Sequence, residues 1–305
     1  MKTLTLKILL LALTCLSANS AIAKLNVVAT TPELGAIAKT LGGDKVDLTV
    51  LARATGDPHF VDAKPSYILK LNRADALVEG GAELEIGWLP ALLDQSRNPK
   101  IAAGAPGRIP CNQGVQMLEI PTTLDRSKGD IHAAGNPHFM MDPINAKIAA
   151  EHIAEAYVKL DAASAAYYQV NLKTFTKQLD DKLVEWQKKL APFKGQRVVS
   201  YHNSWIYFAN RFGLNMDLFL EPKPGIPPSP THLTEVINSM KKDKTHAIFV
   251  EPYLNRRTAE KVAGDSGATM IQVAQFPGGV KGTESGYIAL MDYLVNSLAE
   301  VLSKP

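Results

Sequence analysis

Residues 162–191 read AASAAYYQVNLKTFTKQLDDKLVEWQKKLA, thirty positions without a glycine or a proline. Tyr168, Leu172, Phe175, Leu179, Leu183 and Trp186 recur at steps of three and four, the period of one apolar helix face. Alanine, leucine, lysine, glutamine and glutamate, all good helix formers, fill much of the rest. Pro192 stops the run. A helix of roughly 30 residues reaches about 45 Å, enough to run along two small lobes. A coiled-coil arm is the rival reading, and one amphipathic helix lying on a domain is preferred to it.

On both sides of this stretch strand-like and helix-like segments alternate. Before it come strands at 25–29, 46–51 and 76–78, helices at 32–41, 65–72 and 86–95, short β segments near 100–103 and 115–119, and a helix at 144–160. After it come strands at 197–201, 215–220, 246–251 and 269–273, with helices at 204–212, 231–241, 256–266 and 283–302. Such alternation implies a mostly parallel sheet on each side. The expected division is a leader at 1–23, a first α/β lobe at 24–160, the linking helix at 161–192 and a second α/β lobe at 193–305.

Lys2 and Lys7, the apolar run Ile8 to Leu13 and the small-x-small pattern Ala21-Ile22-Ala23 form a cleavable export leader. The apolar run is too short to span a bilayer permanently. Leu13 and Thr14 before Cys15 make a poor lipid-attachment box, so a soluble periplasmic chain is preferred to a lipoprotein. Losing Lys2 and Lys7 from 33 basic residues leaves 31 against 30 acidic ones. That balance argues against nucleic acid as a partner, which needs a basic face. Cys111 is then the lone cysteine and reads as a small packed residue rather than a reactive one.

Three histidines stand out: His59 in Asp57-Pro58-His59-Phe60, His138 in Asn136-Pro137-His138-Phe139, and His202 in Tyr201-His202-Asn203. Each follows a strand-like run, and loops at the carboxyl ends of parallel strands gather at one crevice. Imidazole is the commonest protein ligand for zinc-like metals. Taken singly, each is more often an ordinary loop histidine; their shared placement raises a metal site between the lobes. Pro58 and Pro137 hold the backbone ahead of two of them.

Several stretches then resemble one family in their order along the chain. They are Asp57-Pro58-His59, Lys64-Pro65-Ser66, Leu84-Glu85-Ile86-Gly87-Trp88-Leu89-Pro90, Gly129-Asp130-Ile131-His132, Gly135-Asn136-Pro137-His138, Met141-Asp142-Pro143 and Phe249-Val250-Glu251-Pro252. Together they look like the cluster A-I solute-binding proteins of zinc and manganese ABC transporters. The resemblance covers essentially the whole chain after the leader. It implies two α/β lobes, each with a mostly parallel sheet, bridged by one long rigid helix that limits hinge motion. It also implies that His59, His138 and His202 hold a metal ion for delivery to a membrane permease, with the protein a monomer and not an enzyme.

One position departs from the family, whose members often supply an aspartate from the loop after the last strand. Here that loop reads Gln272-Val273-Ala274-Gln275-Phe276, and Gln275 takes the place. Either water completes the site, or Glu251 serves as the fourth ligand. Three imidazoles favour Zn²⁺ over Mn²⁺, which prefers carboxylates. Related manganese binders generally carry glutamate in place of the third histidine, and this chain keeps His202. His132 reads as a loop histidine, and Asp142 as a helix cap or a support for a ligand. A His₃ zinc enzyme and a metal-binding surface adhesin are the alternatives; the enzyme lacks an HExxH motif or any other recognisable base.

Overall fold

The computed structural model describes residues 24–124, 129 and 132–304. The leader, and Asp130 and Ile131 of the Gly129–His132 motif, lie outside the described residues. The chain forms two parallel sheets flanked by helices. The first has strands β1 (Leu25–Ala29), β2 (Val46–Val50), β3 (Ala76–Glu79) and β4 (Arg108–Pro110) in the order β2-β1-β3-β4. The second has β5 (Val199–Ser200), β6 (Ala247–Val250) and β7 (Thr269–Gln272) in the order β5-β6-β7. Every pairing is parallel. The central strands β3 and β6 are buried at every residue, as parallel strands covered on both faces must be.

Nine helices of the described residues surround the sheets: α1 (Pro32–Gly42), α2 (Pro65–Arg73), α3 (Leu89–Ser96), α4 (Pro143–Leu160), α5 (Ala165–Leu190), α6 (Ile206–Phe212), α7 (Pro230–Lys242), α8 (Arg256–Ser266) and α9 (Tyr287–Leu302). Five of them, α1, α2, α3, α4 and α7, carry proline at the first or second position. There the missing N–H would have had no intrahelical partner in any case. Gly35 lets α1 lie close on the first sheet, since a Cβ there would come within 2.5 Å of Val50 Cγ2.

Helix α5 spans 26 residues, roughly 39 Å, with a 3₁₀ turn at each end. Its buried side chains are Tyr168, Phe175, Leu179, Trp186 and Leu190. Asn171 Nδ2 donates to Leu41 O of α1 at 2.9 Å, and Trp186 Nε1 donates to Asp292 Oδ1 of α9 at 2.8 Å. The helix therefore holds the first lobe near one end and the C-terminal helix near the other. One apolar core runs from Val27 and Val78 of the first sheet through α4, α5 and α9 to Trp205, Phe208 and Phe249 beside the second sheet. Smaller clusters close the outer face of each sheet.

Four local expectations change. The helix expected from Ile86 begins at Leu89, because Gly81, Ala82 and Glu83 take positive φ and the chain is still turning. The fourth strand lies at Arg108–Pro110 rather than at 100–103 or 115–119; proline is tolerated there because β4 is an edge strand. Residues 215–220 form no strand but isolated bridges, Asn215 to Arg197 and Phe219 to Ser200 of β5. The last helix begins at Tyr287, after Gly286 at φ 128°.

The lobes also meet through polar groups. Asp142 caps α4 by accepting from Ile144 N at 2.9 Å, and both its oxygens accept from Arg211 of α6 at 2.7 and 2.8 Å. Tyr207 Oη accepts from Leu118 N and donates to Asn136 O. Asp142 is 6 % exposed, so removal of its partner leaves a buried charge. Arg211→Ala is expected to lower the unfolding free energy by about 2 kcal/mol, read by urea denaturation; an unchanged midpoint would show that the pair contributes nothing.

Candidate metal centre

His59, His138 and His202 converge where the lobes face each other. Each offers a ring nitrogen, and the three atoms lie within 4.8 Å of one another. The Nε2 atoms of His59 and His138 are 3.3 Å apart. Two zinc–nitrogen bonds of about 2.0–2.1 Å at a tetrahedral angle place their nitrogens roughly 3.3–3.4 Å apart. The spacing thus fits two ligands of one ion.

Each ring is held by its own segment. His59 follows β2 in a turn closed by Asp57, whose Oδ1 accepts from His59 N at 2.9 Å, and Trp88 Nε1 donates to Pro58 O at 2.9 Å. His202 follows β5, and its Nδ1 hydrogen-bonds Glu221 Oε2 at 2.7 Å, leaving Nε2 for the cleft. His138 departs from expectation, because no strand precedes it. It sits ahead of a 3₁₀ turn at Phe139–Met141 that leads into α4, and Asn136 Oδ1 accepts from its backbone N at 3.0 Å.

Electrostatics divide the three. Burial drives the His59 ring down to about 3, helped by the nearby His202 and His132. Burial lowers His138 well below the usual histidine value, with His59 and His202 adding to the effect. Burial opposes the charged form of His202 too, but the hydrogen bond and charge of Glu221 outweigh it, with Glu251 and Asp57 assisting, and its pKa is raised. Two rings are neutral at pH 7, ready to ligate, and the third is tied to a carboxylate.

Glu251 lies outside this triad. It is 1 % exposed at the end of β6, and its Oε1 accepts from Trp205 Nε1 at 2.9 Å. Burial pushes its pKa up to about 7, with His202 pulling the other way. Its place is behind His202, bracing Trp205. Gln275 follows β7, is 3 % exposed, and donates from Nε2 to Ser204 Oγ at 3.2 Å and Tyr253 Oη at 2.8 Å. The His132 ring stacks on His59, with centroids 5.1 Å apart and planes 20° from parallel. Asp142 is a helix cap and an interlobe anchor. His152 and His232 bond backbone oxygens of Gln113 and Phe219, away from the cleft. Cys111 is buried, and burial pushes its thiol pKa up, so it is a packed residue.

The sequence reading missed Glu221, the partner that sets the tautomer of His202. Its only signal was a carboxylate ending the extended run beside β5, where Glu221 N donates to Tyr201 O. Asn203 and Asn136 were missed as well. Both donate to Glu119 Oε2, at 2.8 and 3.0 Å, and wall one side of the cleft.

A two-lobed parallel α/β protein with a candidate cation site between its lobes is the class that this arrangement defines. The chain belongs to the ZnuA family, zinc-uptake complex component A, periplasmic, which matches residues 27–301. Among curated relatives, the manganese ABC transporter substrate-binding lipoprotein PsaA of Streptococcus anginosus is 25% identical, over 92% of this chain and 90% of the relative. The iron ABC transporter substrate-binding lipoprotein MtsA of Streptococcus pyogenes serotype M1 is also 25% identical, with the same coverage. The fold is similar to a crystal structure of ZnuA, with a TM-score of 0.78 and 24% identity over 92% of this chain and 100% of that one. It is also similar to a manganese-bound periplasmic metal-binding protein from Candidatus Liberibacter asiaticus, an S38A mutant, with a TM-score of 0.74 and 22% identity over 92% and 99%. The family consists of solute-binding components of metal transporters, not enzymes, which sets the hydrolase alternative aside. Among the described residues no helix is long and apolar enough to cross a membrane.

Because Glu221 supports the charged form of His202, Glu221→Ala should lower the pKa of that ring in the metal-free protein. An NMR titration of His202 would read the shift, and an unmoved value would remove Glu221 from this role.

Proposed function

We propose that this chain captures Zn²⁺ between its lobes after export and delivers it to the membrane permease of an ABC importer. The observation that carries the reading is the donor set: three imidazoles converge, and among the described residues no carboxylate joins them. Neutral nitrogen donors suit zinc, whereas manganese is better served by carboxylate oxygens. The names of the relatives divide between manganese, iron and zinc, so the choice of metal rests on this chain's own ligands. His59, His138 and His202 are the ligands in this reading. Glu221 supports His202 from behind, Glu251 stands beyond it with a carboxyl that burial holds up at about 7, and the fourth position is open to water.

Metal competition on the purified protein tests the choice. Zn²⁺ should bind one per chain and resist a large excess of Mn²⁺, and His59→Ala, His138→Ala and His202→Ala should each weaken zinc by about 100-fold or more, beyond the 10–100-fold typical of residues that support ligands. Displacement of zinc by equimolar manganese, or an undiminished affinity in His138→Ala, would overturn the assignment.

Proton release gives an independent check. His59 and His138 are neutral well below pH 7, and the raised pKa of His202 makes it the ring that still carries a proton to lose. Zinc affinity should therefore fall as pH drops through the His202 titration, with a slope of one proton, or two where the Glu251 carboxyl, held up at about 7, loses its proton as well, while a slope of three would contradict the site's electrostatics. Calorimetry in buffers of different ionisation enthalpy counts the protons.

A further inference from the structure

Gln275 stands where the family often places a ligating aspartate, yet its hydrogen bonds give it another task. Both protons of its Nε2 are committed, one to Ser204 Oγ at 3.2 Å and one to Tyr253 Oη at 2.8 Å. The Ser204 hydroxyl is fully buried, accepts from Nε2 and lies against the Glu251 carboxyl, so its single proton is left for that carboxyl. The amide oxygen, Oε1, is then the free end of the side chain, and Gln275 lines a small buried cavity with His138, the ring whose charged form it supports. His138 Nε2 is turned toward His59, so Nδ1 is the atom left to meet Oε1.

We infer that Gln275 is a positioning residue for the metal: its Oε1 takes the Nδ1 proton of His138 and frees Nε2 for the ion, with Glu251 and Ser204 locking the amide. An amide turned the other way would offer N–H to Nδ1, fix the ring proton on Nε2 and disable the ligand. The chain Glu251–Ser204–Gln275–His138 does for the second lobe's grip on His138 what Glu221 does for His202. Its members come from the loops after β6, β5 and β7, while His138 belongs to the first lobe. A ligand of one lobe is thereby oriented by the other. The position that family members often give to a ligand is retained in this chain as a support.

This rests on the zinc reading above, and the test separates the two. In full-length metal-free protein, long-range ¹⁵N NMR should show His138 as the Nδ1–H tautomer. Gln275→Leu, which has no acceptor, should mix the tautomers and weaken zinc about 10- to 100-fold. Gln275→Glu, which keeps an acceptor oxygen, should restore the Nδ1–H form. Ser204→Ala, which releases the amide without touching His138, should give a smaller loss and serves if Gln275→Leu does not fold. The inference is overturned by an Nε2–H tautomer in the native protein, by native tautomer and affinity in Gln275→Leu, or by a zinc-loaded crystal structure with Gln275 Oε1 bonded to the ion. If His138→Ala keeps its zinc affinity, the zinc reading fails whatever the tautomer shows.

Discussion

Everything at the cleft depends on burial of the imidazoles. An exposed histidine near pH 7 is partly protonated and hydrated, whereas buried His138 and half-buried His59 are kept neutral by the cost of desolvating a charge and by the imidazoles beside them. That withdrawal requires the two lobes to close over them in a fixed relation. The continuous apolar core supplies it, since Trp205, Phe208 and Phe249 belong to the same cluster as Tyr157, Tyr168 and Trp186. The sheets are separate in hydrogen bonding, but they are not separate in packing.

On this frame the polar groups act as alignment. Asp142 faces Arg211 across the lobes, and Asn136 touches both Glu119 and the backbone of Asn203. Apart from the exposed Glu119, these partners are buried or half-buried, where an unmade hydrogen bond is costly, so each tolerates few alternative positions. Trp88 and Trp205 serve the same end with one atom apiece, donating to Pro58 O and Glu251 Oε1 from otherwise apolar surroundings. They pack, but each stands at the N-cap of its helix, where its indole N–H can reach a loop that shapes the cleft.

Local chemistry made much of the fold legible. Helix starts were marked by Pro32, Pro65, Pro143 and Pro230, because proline removes a donor that the first helical turn does not use. The helix over 165–190 was visible from its apolar period, and the strands at 25–29, 46–50 and 247–250 from their apolar runs. The failures share a cause. Arg108–Pro110 carries little strand character of its own and becomes a strand because β3 offers it a free edge. The 115–119 run has strand-like composition but joins neither sheet among the described residues, Leu118 O accepting from Asn136 N instead, and the helix expected from Ile86 was displaced by three consecutive residues in the left-handed region.

The sequence by itself determined which side chains could ligate and, for His59 and His202, which strands would precede them, because residue type and periodicity are local properties. It singled out His59, His138 and His202, and it exposed the glutamine at 275 as a departure. Only the tertiary structure decided which nitrogen of each ring faces the cleft, that Glu221 rather than a nearer residue holds His202, and that Glu251 and Gln275 stand behind the triad. Those outcomes depend on hydrogen bonds between segments 19 to 71 residues apart, and no local pattern records which distant partner a buried donor will find.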